Sequence, residues 1–363
     1  MRIAIISSHA WPLPSPARTG DSQILLDLTR TLAEMGHKVT LVAPAGTVAP
    51  EGVRLWRMRH CSHGTAEPPT DVCEQSTLGM MFGEEMPFDV IHDCSVNKTV
   101  AKWCHENEMP FIATQWGGPP NHWRNVVAQS HAQRARLLRG ATDYEGTATP
   151  EMGGPNTKPL ADCRVVWNGI DTEAYKPTGK PKQDFFLMLG RFHVVRGIEQ
   201  GIELAKATGI NLLIAGTDPE EDHPAQAAYA RRICEMVRGC DNINVEFLPM
   251  GNEAHHARKV ELYSDARALL FLPRFQEPFG LTQIESLACG TSVIAPDIGS
   301  CKEVLGVVGV EEGVKAFTEE SDGFVQSQSG AARRRACELF SREAMAERYL
   351  AEYYDVLNGK GWG

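Results

Sequence analysis

The fold of this chain is decided by residues 274–290, whose sequence is Arg-Phe-Gln-Glu-Pro-Phe-Gly-Leu-Thr-Gln-Ile-Glu-Ser-Leu-Ala-Cys-Gly. Pro278 and Gly280 end a strand and allow a tight turn, and the apolar spacing that follows predicts a helix. The first amides of such a helix lack intrahelical partners, so they favour a phosphate. Glu277 precedes the turn and Glu285 lies about one helical turn inside, so two carboxylates flank the predicted anion site.

This arrangement has two interpretations. In the first, a capped amphipathic helix carries two surface carboxylates. In the second, Glu285 accepts hydrogen bonds from a diol, the helix start binds phosphate and Glu277 meets further hydroxyls. A nucleotide sugar carries these groups in this order.

Length and composition limit the protein class. A chain of 363 residues can form two domains with their own cores. Its net charge of −10 argues against nucleic acid as the main partner. No apolar run approaches the ~18 residues that span a bilayer, and none resembles a signal-peptide core. The 10 cysteines form no C-x-x-C pair, so we expect reduced cysteines in a cytoplasmic protein.

The order of strand and helix patterns predicts the domain organisation. Residues 2–43 read as a strand, a loop, a helix and a strand, which predicts a parallel sheet. A second series starts at Phe185, after a linker rich in proline and glycine. We therefore predict an α/β chain with two tandem Rossmann-like, doubly wound domains, 1–175 and 184–338, facing an interdomain cleft. The helical pattern in residues 339–363 is expected to pack back toward the first domain.

Two arginines mark the start of the second domain. Arg191 follows a buried strand and Arg196 precedes the next helix, so both guanidinium groups can reach one diphosphate. Either arginine alone would more often be a solvated side chain. In the first domain, Gly20 could bring backbone amides to a phosphate or sugar, although a plain flexible loop explains it as well. That loop holds no G-x-G-x-x-G and the chain holds no P-loop motif, which disfavours dinucleotide oxidoreductases and P-loop enzymes.

Several segments together resemble family 4 glycosyltransferases. They are Phe-Asp-Val-Ile-His, Val-Val-Trp-Asn-Gly-Ile-Asp, Leu-Gly-Arg-Phe, Phe-Leu-Pro-Met-Gly and Glu-Pro-Phe-Gly-Leu, in the family's order over most of the chain. The resemblance implies the GT-B fold and retaining transfer of a hexose from a nucleotide sugar, with a UDP-sugar favoured. It also implies that Arg191 and Arg196 contact the diphosphate, Glu285 the ribose and Glu277 the sugar hydroxyls. Arg196 replaces the family's usual lysine.

The candidate site residues follow from these patterns and from the resemblance. The catalytic candidates are Arg191, Arg196 and Glu277. The donor-binding candidates are Glu285, Phe279, Gly280, Leu281, Thr282, Gly20 and Gly216. The candidates for the acceptor or sugar side are His92, Cys94 and Trp116.

Two features concern metals and catalysis. The family's His-x-His reads His92-Asp93-Cys94 here, so a structural or acceptor-side role is expected for His92 rather than a catalytic one. The sequence has no Asp-x-Asp pair, and His255-His256 lacks a third ligand. We therefore expect neither a metal site nor a cofactor, with the arginines and the helix start supplying positive charge.

Three other functions remain open. They are a GDP-mannose-dependent mannosyltransferase, a sugar-nucleotide epimerase of the same fold, and a non-catalytic nucleotide-sugar binding protein. Cys94 favours the last of these, and the epimerase lacks recognisable acid and base carboxylates. The acceptor is left unspecified as a saccharide, a small molecule or a lipid, because it would bind through variable loops of the first domain.

Overall fold

The computed structural model describes residues 1–14, 20–58, 70–81, 88–116, 124–147, 159–218, 224–248, 253–319 and 322–363. The chain forms two compact units. Unit 1 comprises Met1–Asp143, Gly153–Ile170 and Arg342–Gly363, and unit 2 comprises Tyr144–Met152 and Asp171–Ser341. The Gly, Pro and Thr content of residues 140–160 predicts a mobile excursion, and residues 148–158 of it lie outside the described residues. Within the described ranges, no helix combines the length and apolar character needed to cross a membrane.

The helices and strands alternate along most of the chain. In chain order they are β1 (Arg2–Ile6), α1 (Gly20–Glu34), β2 (Lys38–Ala43), β3 (Arg54–Arg57), α2 (Thr70–Met81), β4 (Val90–Asp93), α3 (Thr99–Glu106), β5 (Phe111–Thr114), β6 (Val126–Ala128), α4 (His131–Arg139), β7 (Arg164–Val165), β8 (Phe186–Leu189), α5 (Ile198–Thr208), β9 (Leu212–Thr217), α6 (Pro224–Met236), β10 (Ile243–Leu248), α7 (Glu253–Asp265), β11 (Ala268–Leu270), α8 (Leu281–Ala288), β12 (Val293–Ile294), α9 (Cys301–Leu305), α10 (Val310–Glu319), α11 (Asp322–Leu339) and α12 (Arg342–Leu357).

The sheet of unit 1 is parallel, with the strand order β3-β2-β1-β4-β5-β6-β7. The interior strand β1 is buried along Ile3–Ile6, as expected of a parallel strand covered on both faces. The chain moves outward in one direction through β2 and β3 and in the other from β4 onward. The strand order therefore reverses between β1 and β4, and we call this place the switch point of unit 1.

The last helix of the chain belongs to unit 1. The apolar spacing predicts a helix over residues 341–357, and α12 occupies Arg342–Leu357. Its residues Met345, Tyr349 and Tyr353 are fully buried, and the helix contacts α1 and β5. Helix α12 is therefore part of the hydrophobic packing of unit 1.

Unit 2 repeats the arrangement on a smaller scale. Its parallel sheet has the strand order β10-β9-β8-β11-β12. Side chains from β8, β9 and α5 meet in one apolar core, which includes Phe186, Ile202 and Leu212. Here the order reverses between β8 and β11, which defines the switch point of unit 2. In open α/β sheets, ligands bind beyond the carboxyl ends of the strands at such a point.

Candidate functional site

A pocket lies at the switch point of unit 2. The carboxyl ends of β8, β9 and β11 line it together with Arg191, Arg196 and Ile198. Apolar side chains form its floor, and the two guanidinium groups are its charged members. Both arginines predicted from the sequence thus border one pocket of unit 2.

Arg196 is held in place by the backbone that follows it. It ends a 3-10 turn, Val194–Arg196, and Gly197 then adopts a positive φ of 70°. A Cβ at Gly197 would lie 1.9 Å from the carbonyl oxygen of Leu272, so only glycine fits between this turn and the end of β11. Arg191 is exposed, two residues beyond β8, whereas 27% of the Arg196 side chain is exposed.

Arg196 forms an ion pair with Glu277, with 3.0 Å between Nη1 and Oε2. The guanidinium also lies over the ring of Phe275, at 5.7 Å from the centroid. Glu277 is itself fixed, because its carbonyl accepts from the amide of Ser300 at 3.0 Å. A Cβ on the neighbouring Gly299, whose φ is 56°, would approach the amide nitrogen of Glu277 to 2.4 Å. The ion pair joins residues that lie 81 positions apart, and the sequence patterns do not indicate it.

Helix α8 begins next to Glu277. Gly280 is its N-cap residue, with a φ of 81° and no side-chain cap. The amides of Leu281 and Thr282 therefore occupy the first turn, where a helix offers no internal acceptor. Phe279 is 1% exposed and packs edge-on against Phe340 at 5.7 Å. The side chain of this donor-binding candidate therefore belongs to the core, and only its backbone borders the helix start.

Glu285 lies about 7 Å further along the α8 axis and is engaged from several sides. Tyr175 donates its hydroxyl to Oε1 at 2.8 Å, and Tyr263 donates to Oε2 at 2.8 Å. The Lys259 ammonium lies 2.9 Å from Oε2. Burial raises the pKa of Glu285. Lys259 and the two hydroxyls lower it by a larger amount, so the pKa of Glu285 is below its usual value. Glu285 is therefore an ionised carboxylate at neutral pH.

The sequence patterns did not predict these partners of Glu285, although the spacing of two of them is informative. Lys259 and Tyr263 are four residues apart on α7 and so lie on the same helix face. Tyr175 belongs to an irregular segment, where no periodicity reveals the direction of its side chain.

A single arginine fixes the segment that carries Tyr175. Arg333 on α11 donates through Nη1 to the carbonyls of Thr172 at 2.8 Å, Tyr175 at 2.9 Å and Ala288 at 2.7 Å. Ala288 ends α8, the helix of Glu285. Arg333 thus ties the Tyr175 segment to the helix whose carboxylate Tyr175 contacts.

The remaining candidates divide between the units. Gly216 is a buried residue of β9 in unit 2, whereas Gly20 is the exposed first residue of α1 in unit 1. Trp116 is half-buried after β5 and donates through Nε1 to the Cys94 carbonyl at 3.2 Å. Among the residues described by the structure, no group of three or more His, Cys, Asp or Glu side chains is arranged to hold a metal ion.

His92 and Cys94 lie inside unit 1. His92 is 0% exposed, with Nδ1 at 2.8 Å from the Tyr353 hydroxyl and Nε2 at 2.7 Å from Thr114 Oγ1. Cys94 is also buried, with Sγ at 3.2 Å from Nε2 of His92. Thr114 in turn bonds the Tyr349 hydroxyl at 2.9 Å. The structure therefore places these two acceptor-side candidates in a buried polar cluster that joins β4 and β5 to α12, and neither side chain is at a surface.

We expect His92→Phe to destabilise the protein by about 2 kcal/mol, because the buried hydroxyls of Tyr353 and Thr114 lose a partner. Burial, assisted by Lys98, lowers the pKa of His92 to about 3, whereas an unfolded histidine titrates near about 6.5. The unfolded chain therefore binds a proton that the native chain rejects, and wild-type stability falls as pH decreases through this window.

Urea unfolding at several pH values measures both effects. The variant should be less stable at pH 7 and should lose less stability between pH 6.5 and pH 4. Tyr353→Phe serves as the control that removes one hydroxyl and leaves the titration in place. Unchanged stability with lost activity would instead indicate a direct role for His92.

Comparison with known proteins assigns the second unit. Residues 171–327 match the family described as glycosyl transferases group 1. The chain is a glycosyltransferase. This glycosyltransferase is 27% identical to the glycogen synthase of Mycobacterium tuberculosis, and the alignment covers 93% of this chain and 88% of that protein.

A second relative agrees with this assignment, and a solved structure shares the fold. The glycosyltransferase is 27% identical to the D-inositol 3-phosphate glycosyltransferase of Mycobacterium marinum, over 97% of this chain and 85% of that one. It also resembles the crystal structure of AviGT4, a glycosyltransferase involved in avilamycin A biosynthesis, with a TM-score of 0.66, 21% identity and 100% coverage of both chains. The predicted GT-B fold, with two Rossmann-like α/β domains, is confirmed.

Proposed function

We propose that the protein transfers a hexose from a nucleotide sugar to an acceptor, with retention of anomeric configuration and without a metal ion. A UDP-sugar is the favoured donor, as the resemblance to family 4 implies. The proposal is carried by one observation: Arg191 and Arg196 border the pocket at the switch point of unit 2, and Arg196 pairs with Glu277, which precedes the start of α8.

The diphosphate of the donor fits the positive groups of unit 2. A guanidinium has five N–H donors, so Arg196 can keep its bond to Glu277 and still donate to a phosphate oxygen. Arg191 is exposed at the same pocket and supplies a second charge. The amides of Leu281 and Thr282 add uncharged donors at a helix N-terminus, which attracts anions. Fixed positive charge in this arrangement takes the part that a divalent cation plays in other transferases.

The reaction we propose exchanges one bond at the anomeric carbon. The bond from that carbon to the diphosphate oxygen breaks as the acceptor oxygen attacks from the same face. The acceptor proton passes to the departing phosphate oxygen, so no protein base or covalent nucleophile is required. Arg191 and Arg196 stabilise the negative charge that develops on the diphosphate. Glu277 holds hydroxyls of the transferred sugar.

Glu285 is proposed to bind the ribose. A carboxylate offers about four acceptor positions, and Tyr175, Tyr263 and Lys259 use three of them. About one position is therefore left for a ribose hydroxyl, rather than two for a diol. The ionised state of Glu285 strengthens this bond, because charge-assisted hydrogen bonds are about twice as strong as neutral ones.

The acceptor does not follow from the relatives. One is named a glycogen synthase and the other a D-inositol 3-phosphate glycosyltransferase, yet both are 27% identical to this chain. Their names therefore indicate a hydroxyl-bearing acceptor without choosing one.

A thermal-shift panel tests the donor, using UDP-glucose, UDP-N-acetylglucosamine, ADP-glucose and GDP-mannose with and without EDTA. At a hundredfold excess over Kd, a true donor should stabilise the protein by about 2.7 kcal/mol, and EDTA should not change this. Release of free nucleotide in the presence of candidate acceptors then distinguishes transfer from binding alone. Stabilisation by none of the four would refute the donor proposal, and binding without nucleotide release under all acceptors would support a non-catalytic protein.

We expect Arg191→Ala to lower kcat about tenfold, which corresponds to the low end of the roughly 1.5–3 kcal/mol for a hydrogen bond to a charged group. The side chain is exposed, so solvent replaces part of what is lost. Steady-state kinetics measure the effect. Arg191→Lys keeps the charge and should be milder, and Arg231→Ala on α6 removes an exposed arginine away from the pocket as a control. Wild-type kinetics for Arg191→Ala would contradict its role at the diphosphate.

A further inference from the structure

The switch point of unit 1 contains two polar atoms that the transfer reaction described above does not use. His9 and Ser95 are each 3% exposed. Among the residues that the structure describes, Nδ1 of His9 and Oγ of Ser95 have no hydrogen-bond partner, and both atoms are buried. Leaving a buried polar group unsatisfied costs about 1–3 kcal/mol, so two such atoms in the same part of a fold require an explanation.

Both residues belong to the same edge of the sheet. His9 follows β1 and Ser95 follows β4, and these adjacent strands pair with Ile6 opposite Asp93. Glu74 lies close to both loops. It accepts from the amide of Asn97 at 2.8 Å, two residues beyond Ser95, and it lies within electrostatic reach of His9, whose pKa burial lowers and Glu74 raises.

The loop of Ser95 is rigidly held. Asp93 accepts from the Ser95 amide at 2.8 Å and from the Ala101 amide at 2.8 Å. The buried Lys98 donates through Nζ to the Ser95 carbonyl. The backbone around Ser95 is thus fully engaged, while its hydroxyl is not. Such a hydroxyl is preorganised for a partner from outside the protein.

An aromatic side chain lies at the end of the next strand. Trp116 follows β5, is half-buried, and is anchored by its Nε1 bond to the Cys94 carbonyl. Indole rings present a flat apolar face with one polar edge. The charged groups at this edge, Asp93, Glu74 and Lys98, already bond backbone atoms. His9 Nδ1 and Ser95 Oγ belong to neutral side chains, because burial lowers the pKa of His9. This favours a ligand rich in hydroxyls over a phosphate or a carboxylate.

We propose that His9 Nδ1 and Ser95 Oγ, with the indole of Trp116, form a subsite for the hydroxyls of a neutral saccharide or cyclitol. A hydroxyl both donates and accepts, so one ligand ring can satisfy the serine oxygen and the histidine nitrogen together. The carbon face of the same ring can pack on the indole. Naming this ligand as the acceptor rests on the proposed transferase function, whereas the subsite itself does not.

Ser95→Ala tests the subsite, because it removes an atom that has no partner. Removing an unsatisfied buried hydroxyl should leave the thermal stability unchanged or raise it. The same substitution should weaken binding of the ligand about tenfold, the loss of one hydrogen bond. Ser130→Ala is the matched control, since this buried serine accepts from the Gln133 amide at 3.0 Å. It should lower stability and leave ligand binding unchanged.

The probes are methyl α-D-glucopyranoside, maltose and myo-inositol, each titrated into the full chain up to 50 mM and followed by saturation-transfer NMR, with UDP binding measured in the same samples. Saturable binding of at least one probe supports the subsite if Ser95→Ala and His9→Ala each weaken it about tenfold and His9→Asn retains it. The inference is overturned if no probe binds the wild type, or if Ser95→Ala binds as the wild type does. Failure of UDP to bind would instead refute the UDP-sugar donor of the proposed function and leave the result on the subsite standing.

Discussion

Arg196→Ala is expected to lower kcat/KM for transfer by roughly 100-fold, close to the upper end of the roughly 1.5–3 kcal/mol for a charge-assisted hydrogen bond. Two effects combine. The diphosphate loses a positive group at the pocket, and Glu277, whose side chain is 9% exposed, loses its partner at 3.0 Å. A carboxylate that has lost this counter-charge, next to the diphosphate, would then repel the donor that it should help to orient.

A double-mutant cycle with Glu277→Gln separates the two effects. If the ion pair couples the two ends of the donor, Arg196→Ala should be less harmful when Glu277 is already neutral. Arg196→Lys restores the family's usual residue at this position and should recover most of the activity. Equal and additive losses, measured as kcat/KM for donor, would show that the two residues act independently.

Lys259→Met is expected to weaken donor binding and to destabilise the protein by about 3 kcal/mol, because removing one member of a buried ion pair leaves an uncompensated charge. The side chains of Lys259 and Glu285 are 16% and 11% exposed. Without the lysine, the hydroxyls of Tyr175 and Tyr263 are the groups in the described part of the chain that still oppose the effect of burial on the pKa of Glu285. The pKa of Glu285 should then rise from its lowered value.

The pH dependence of donor affinity should differ between the wild type and Lys259→Met. In the wild type the lowered pKa keeps Glu285 ionised, so its contribution is present at neutral pH and is lost only as pH falls through that low pKa. In Lys259→Met, donor affinity should begin to fall at a higher pH. Titration of UDP between pH 5 and pH 8 measures the shift, with Lys259→Arg as the control that keeps the charge. Parallel pH profiles for wild type and Lys259→Met would rule out this role for the lysine.

Strands and helices are predicted best from the sequence where the hydrophobic periodicity is strong. The buried strands, the α8 motif and the helix of Met345, Tyr349 and Tyr353 follow from spacing alone, because one face of each must be buried. Spacing does not predict the edge strand β3. Its two end residues are exposed and its two middle residues are half-buried, so buried and exposed positions do not alternate along it. Short elements of this kind depend on a neighbour, here β2, that the sequence does not name.

The candidate site divides in the same way. Arg191, Arg196 and the start of α8 are predictable, because strand ends and helix starts are local features. The pairing of Arg196 with Glu277 and the contact of Tyr175 with Glu285 span 81 and 110 residues, and no local pattern encodes them. His92 illustrates the reverse case: its position left a structural and an acceptor-side role open, and burial by α12, more than 250 residues away, gives it the structural one.

The anchoring of Tyr175 by Arg333 has a consequence for dissecting the enzyme. The segment from Asp171 to Tyr175 supplies three things to unit 2: two carbonyls for Arg333 and a hydroxyl for Glu285. A nucleotide-binding half expressed alone should therefore begin at Asp171. A shorter version beginning at Asp184, just before β8, would remove hydrogen-bond partners of the Arg333 guanidinium and of the Glu285 carboxylate.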